Sequence, residues 1–313
     1  MTNVWGWIGF NAVVLAILFF DLVILHKKSN STSVKTAAIW SVVWVVLSLS
    51  FAAGVYNVMG KESGLEFLTG YLIEYALSVD NIFVFVLIFA YFKVPKEFQH
   101  RVLFWGIIGA LLLRGGMIFA GAALVSRFEW ILYFFGAFLV FTGFRMARQK
   151  DGADYNPERD PVLRIARKMM PVTKEYDGEK FFVRQPDSAG VMRRAATPLF
   201  IVLLLVDTTD VIFATDSIPA IFSVTRDPFI IYTSNICAVL GLRALYSLLA
   251  SVVDKFRYLK IGLSLVLMFI GGKMLVDHFY PMPIIGSLGV VAAILITSVL
   301  ASLRWPRPEG RPV

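Results

Sequence analysis

Long apolar runs, separated by short polar intervals, make up most of this chain. The runs fall at roughly 4–25, 36–58, 65–92, 101–125, 128–147, 197–224, 228–250, 257–280 and 283–303. A bilayer core takes about 20 apolar residues in helical form, so each run predicts one crossing and the set predicts about nine transmembrane helices. The expected class is all-α integral membrane. The one sizeable polar interval, 148–196, carries Pro157, Pro161, Pro171 and Pro186. It predicts a connector too short for an independent catalytic domain. Its EKFFVRQPDSAGVMRRA segment predicts a short strand or hairpin.

Inside the runs, the polar positions repeat. Glu74 and Asp80 are six apart in YLIEYALSVDNIFVF, and Asp210 and Asp216 are six apart in LLLVDTTDVIFATDSIPA, which also holds Asp207. A carboxylate in hydrocarbon costs about 2.5–3.5 kcal/mol on insertion scales, so five of them cost on the order of 15 kcal/mol unless something binds them. A cation is the natural partner.

The acidic motifs belong to a longer match. Adding 136 takes Glu74 to Asp210, Asp80 to Asp216 and Asn81 to Ser217. Adding 129 takes Arg114 to Arg243, and adding 128 takes Arg127-Phe128 to Lys255-Phe256 and FTGFRM (141–146) to FIGGKM (269–274). Three helices separate the two starts, and an odd number reverses direction. The expectation is therefore an inverted pair of three-helix repeats, 65–147 and 197–280, the build of secondary transporters with a midplane site. Two helices in 1–64 precede the pair, and a last helix and tail in 281–313 follow it.

Composition and charge agree with a membrane protein. Of the 313 residues 58% are hydrophobic, with a mean hydropathy of +0.71. The net charge of +8 does not imply nucleic acid, because 24 of the 30 Lys and Arg fall in alternate connections. That bias predicts an outside N-terminus and a cytoplasmic C-terminus. The N-terminal MTNVWGWIGF has no positive segment or small-residue cleavage site, so the first run is expected as a retained span. The single Cys237 excludes an internal disulfide framework and reads as a small hydrophobe.

In a regular helix Glu74 and Asn81 share a face, as do Asp210 and Ser217, whereas Asp80 and Asp216 lie about 120° from their upstream partners. Either each helix presents two polar faces, or it is broken near the motif; Pro219 favours a break in the second copy. The donors are all oxygen: Glu74, Asp80, Asn81, Asp207, Asp210, Asp216 and Ser217. Without His or Cys, such a set suits Mn²⁺, Mg²⁺ or Ca²⁺ over Zn²⁺ or Cu⁺. The acids of both copies are expected to converge on one dication at mid-depth. Arg114 and Arg243 balance part of the charge, or pair with the acids and hold the bundle together. Five carboxylates, two guanidiniums and a dication leave one negative charge, which a proton would neutralise. Asp21 reads as a cap or interface residue, and Lys273 as a side chain reaching the outer interface.

The strings FLTGYLIEYALSVDNIFVF and DVIFATDSIPAIFSVTRDPFIIYTSN, with KEYDGEKFFVR in the connector, closely resemble the TerC/Alx family of the LysE-type superfamily. The resemblance implies a multi-pass bacterial inner-membrane protein tied to Mn²⁺ export, to tellurite resistance and to alkaline response. It implies that the family's intramembrane acids correspond to Glu74, Asp80, Asp207, Asp210 and Asp216. The family commonly has Glu where this chain has Asp207, one methylene shorter. The expected function is divalent-cation export by alternating access, Mn²⁺ ahead of Ca²⁺ or Mg²⁺, with protons and the lipid bilayer as further partners and no enzymatic centre. Oligomeric state is left open. Two other classes remain: an intramembrane enzyme with an aspartate dyad, although no GxGD string is present, and a non-transporting partner in membrane-protein assembly.

Overall fold

The computed structural model describes residues 4–25, 34–148, 161–186, 192–250, 258–277, 279–280 and 282–305. Five helices come first: α1 (Val4–Leu25), α2 (Val34–Met59), α3 (Lys61–Tyr91), α4 (Lys96–Arg127) and α5 (Ile131–Arg148). The connector then contributes the short helix α6 (Pro161–Met169) and the strands β1 (Phe182–Pro186) and β2 (Met192–Ala196). The strands pair antiparallel, with Arg184 opposite Arg194, so the expected hairpin is present. There follow α7 (Pro198–Phe222), α8 (Pro228–Leu240), α9 (Leu242–Leu249), α10 (Leu259–Val276) and α11 (Ile284–Arg304).

The fold is all-α and integral to a membrane. Among the described residues, seven helices are long and apolar enough to cross a bilayer, or eight if α8 and α9 form one bent span. The apolar part of α1, Val4–Phe20, is shorter, so by this measure the count stops short of nine. Prolines set several starts: α7 and α8 each carry one in the first turn, where its missing N–H has no helical partner to lose. Asp227 caps α8, its Oδ1 accepting from the Phe229 amide at 2.8 Å.

The expected break at Pro219 is absent. The helix α7 runs unbroken through it to Phe222. Pro219 lies in the last turn, where the helix is about to end, and the Thr215 hydroxyl beneath it turns back to the Ile212 carbonyl (2.6 Å). Likewise α3 is continuous through Glu74, Asp80 and Asn81. The break falls instead between α8 and α9, a 40° bend at Gly241.

The central contacts are α3 against α8, α4 against α7, α3 against α7 and, most extensively, α5 against α10. Small residues bring this last pair close: a Cβ on Gly143 would meet the Ser264 carbonyl at 2.7 Å, and one on Gly271 the Gly136 carbonyl at 2.5 Å. Between helices in lipid, where hydrophobic association is lost, such close approach is what packing rests on. Outward faces are apolar, with Trp5, Phe19, Leu112, Phe141 and Leu300 all exposed.

The connector is fastened to the bundle. Tyr176 donates to the Phe92 carbonyl at 2.8 Å, and Arg101 at the start of α4 pairs with Glu179 at 3.2 Å while its guanidinium lies over Phe181. Burial pushes the Tyr176 hydroxyl up to about 12, so it stays protonated, and a donor, at physiological pH.

Gly271 and Gly272 are adjacent in sequence but differ in surroundings, since nothing lies within 4 Å of a Cβ on Gly272. Gly271→Ala is expected to lower the stability of the detergent-solubilised protein by about 1–3 kcal/mol through overpacking. Gly272→Ala should leave thermal unfolding unchanged.

Candidate functional site

The length of α3 places Glu74 and Asn81 on one face, and that face meets α7 at Asp210. Both acids are buried: Glu74 is 0% and Asp210 2% exposed. Between them lies Arg114 of α4, also 0% exposed. Its Nε donates to Asp210 Oδ2 at 2.8 Å and its Nη2 to Asp210 Oδ1 at 2.6 Å, a two-pronged grip on one carboxylate. Its Nη1 donates to Glu74 Oε1 and, at 3.3 Å, to the Asn235 side-chain oxygen.

Two amides complete the cluster. Asn235 of α8 donates to Glu74 Oε2 at 2.9 Å. Asn81, with its amide turned to satisfy both atoms, accepts from Arg114 Nη2 at 3.3 Å and donates to the Leu77 carbonyl at 3.1 Å. All five N–H donors of the guanidinium are therefore used, and so are all four carboxylate oxygens. The cluster joins α3, α4, α7 and α8.

Beside it lies a cavity of about 230 Å³, lined by Glu74 and Asn81, by Asp216 and Ser217 of α7, and by Thr142 and Arg145 of α5. Asp216 is half-buried, and Arg145 is exposed at its edge. The Ser217 hydroxyl is buried without a hydrogen-bond partner. Glu74 belongs to both cluster and cavity.

The remaining sequence candidates lie elsewhere. Asp207 faces α4 from α7, its carboxyl group lying on Gly109, where a Cβ would meet all three carboxyl atoms within 2.8 Å. Its Oδ1 is buried without a hydrogen-bond partner. Arg243 is half-buried on α9, just past the bend, and the guanidinium between Glu74 and Asp210 is that of Arg114. Asp80 lies on α3, but its side chain is outside the described residues, as are Lys255 and Phe256 of the repeat match. Lys273 reaches the Ser223 carbonyl at the end of α7, at 3.4 Å. Among the described residues, no three His, Cys, Asp or Glu gather closely enough to hold a metal ion. Among the described side chains, the four acids do not converge on one point: Glu74 and Asp210 are closed around Arg114, Asp216 lines the cavity, and Asp207 rests on α4.

Sequence reasoning missed Asn235, Thr142 and Arg145. An amide in the middle of the apolar run 228–250 was a signal for the first. The alignment of Arg145 with Lys273, both in the FTGFRM and FIGGKM strings, was a signal for the last.

A family model described as "Integral membrane protein TerC family" matches residues 59–309. An uncharacterized membrane protein of Myxococcus xanthus is 52% identical over 297 residues, 95% of this chain and 91% of that protein. A protein of Escherichia coli strain K12 named "Putative membrane-bound redox modulator Alx" is 48% identical over 303 residues, covering 94% of this chain and 92% of its own. An uncharacterized membrane protein of Rickettsia bellii is 41% identical over 298 residues, 95% of this chain and 97% of that protein. No solved structure matches the chain.

The hydrogen-bond pattern at Glu74 has a direct test. Asn235→Ala leaves Glu74 Oε2 buried without its donor, and is expected to cost about 1–3 kcal/mol of stability. Chemical denaturation in detergent measures this, and Ser234→Ala, a neighbour outside the cluster, serves as the control.

Proposed function

As the chain belongs to the TerC family of integral membrane proteins, we propose that it exports a divalent cation, Mn²⁺ ahead of Mg²⁺ or Ca²⁺, by alternating access. The observation that carries this reading is the meeting of Glu74 and Asp210, each the counterpart of the other in the two sequence copies, buried side by side and held by a cation. A buried acid pair with one member, Glu74, bordering a cavity that Asp216 also lines suits a pathway for positive charge better than a structural scaffold. The oxygen-only donor set of Glu74, Asn81, Asp210, Asp216 and Ser217 favours a hard dication as cargo.

Packing symmetry supports an inverted repeat. Exchanging α3 with α7, α4 with α8–α9 and α5 with α10 carries the central contacts onto one another: α3–α8 becomes α7–α4, while α3–α7, α4–α8 and α5–α10 map onto themselves. The same exchange turns the Gly143–Ser264 approach into the Gly271–Gly136 approach. On this reading α1, counted as a ninth crossing, puts the N-terminus outside and the hairpin connector in the cytoplasm of a bacterial inner membrane. This reading takes the protein as a transporter and not an enzyme; Glu74 and Asp210 face one guanidinium between them rather than each other as an acid–base dyad would. The redox role in the name of the Escherichia coli relative has no dithiol to rest on here, because Cys237 is the only cysteine.

Purified protein in liposomes provides the test. Wild type is expected to move Mn²⁺, with Asp210→Asn and Asp216→Asn slowing it by about tenfold or more, on the order of a lost charge-assisted contact. Equal flux from all three would refute the reading. A pH dye inside the vesicles checks proton coupling: the expected outcome is proton movement opposite to Mn²⁺, in step with it.

A further inference from the structure

We infer that Arg114 is a tethered competitor of the transported cation: its guanidinium holds Glu74 and Asp210 when no cargo is bound and must leave Glu74 before the cargo can bind. This inference rests on the export reading and deepens it.

Occupancy of the space between the two acids is the reason. A hard dication takes six or more oxygen ligands at about 2.0–2.6 Å, each turning a lone pair towards the ion. Both oxygens of Asp210 accept from Arg114, one Glu74 oxygen accepts from Arg114, and the other accepts from Asn235. Every oxygen of this pair of acids already has a donor, and the guanidinium occupies the space between them where an ion shared by both would sit. A dication beside a retained guanidinium would also meet a like charge at close range in a medium with little water.

The way in is also visible. Of the acids in the cluster, only Glu74 borders the cavity, together with Asp216, Ser217 and Asn81. The Nη1 contact to Glu74 is single, whereas Asp210 is gripped by two nitrogens. Cargo arriving beside Asp216 therefore meets first the carboxylate that the guanidinium holds by one bond, and Arg114 can retreat onto Asp210 while Glu74 turns to the ion. The arginine sets a threshold: a cation that cannot outbid one guanidinium does not bind.

A purely structural arginine predicts the opposite sign on mutation. Mn²⁺ binding to the full chain in detergent, read from loss of the free-ion electron paramagnetic resonance signal, separates the two roles. Arg114→Gln keeps hydrogen-bonding groups and removes the charge. It is expected to bind Mn²⁺ about tenfold or more tightly than wild type, and to melt lower than wild type without Mn²⁺ but gain more from it. Arg114→Lys, which keeps the charge without the fork, is expected to fall between, about threefold tighter or more. If Arg114→Gln does not fold, Arg114→Lys decides alone. Unchanged or weaker binding by the folded variants, with wild type still exporting Mn²⁺ from liposomes, overturns this inference only. If wild type neither binds nor moves Mn²⁺, the export reading fails, and this inference falls with it.

Discussion

A guanidinium locked between two carboxylates at the centre of a membrane bundle is the interaction on which the rest of this structure depends. Arg114, Glu74 and Asp210 come from α4, α3 and α7, and Asn235 adds α8. Removing Arg114 leaves two buried carboxylates uncompensated, and breaking a buried ion pair in this way typically costs about 3–5 kcal/mol. The apolar runs explain why these helices sit in lipid. They do not explain why the helices meet in this arrangement, because lipid tails solvate Leu and Phe as well as a neighbouring helix does. The polar cluster supplies that specificity at the centre, and the small-residue crossing of α5 and α10 supplies it at the side.

The cluster is asymmetric although its setting is not. Glu74 and Asp210 align in the two sequence segments, and on the proposed inverted-repeat reading the helices around them would exchange places under one operation. Yet a single arginine, from the first copy, occupies the centre, while its counterpart Arg243 lies past the bend at Gly241. Among the described residues the bent pair is α8–α9, whereas α4, aligned with it in the proposed repeat, is one continuous helix through Arg114. On the proposed reading, this difference in shape is what alternating access would require of inverted repeats, since each state gives the two copies different conformations.

Much of this was legible from the residues. Hydropathy is a one-dimensional signal, and the helices follow the apolar runs to within a few residues except where a run held a bend. The partnership of Glu74 with Asn81 on one face needed only helical spacing. Three things were not legible. Pro219 favours a break over two polar faces because its local cost is real, but in a final turn little helix remains to be disrupted. Asp207 and Asp210 are three apart, which turns them about 60° from each other, enough to send one to the α4 glycines and the other to Arg114. Asn235 was hidden because a lone amide has no meaning until the fold brings Glu74 beside it. Spacing along one helix cannot report which of two arginines reaches a pair of acids on two others.

Glu74 is where the closed cluster and the open cavity touch, and that position constrains any mechanism. Its two oxygens are bound on one side by Arg114 and Asn235, and the same residue borders the space lined by Asp216 and Ser217. A change in the cavity that attracts this carboxylate must loosen its hold on Arg114. A change in α4 or α8 that tightens the cluster must draw Glu74 away from the cavity. Because α8 contributes Asn235 and bends six residues later, movement at the bend has a direct route to Glu74 through one hydrogen bond. Among the described residues Glu74 is thus the one that both borders the cavity and accepts a hydrogen bond from the bent α8, so any coupling between cavity and bend that runs through this cluster passes through its carboxylate.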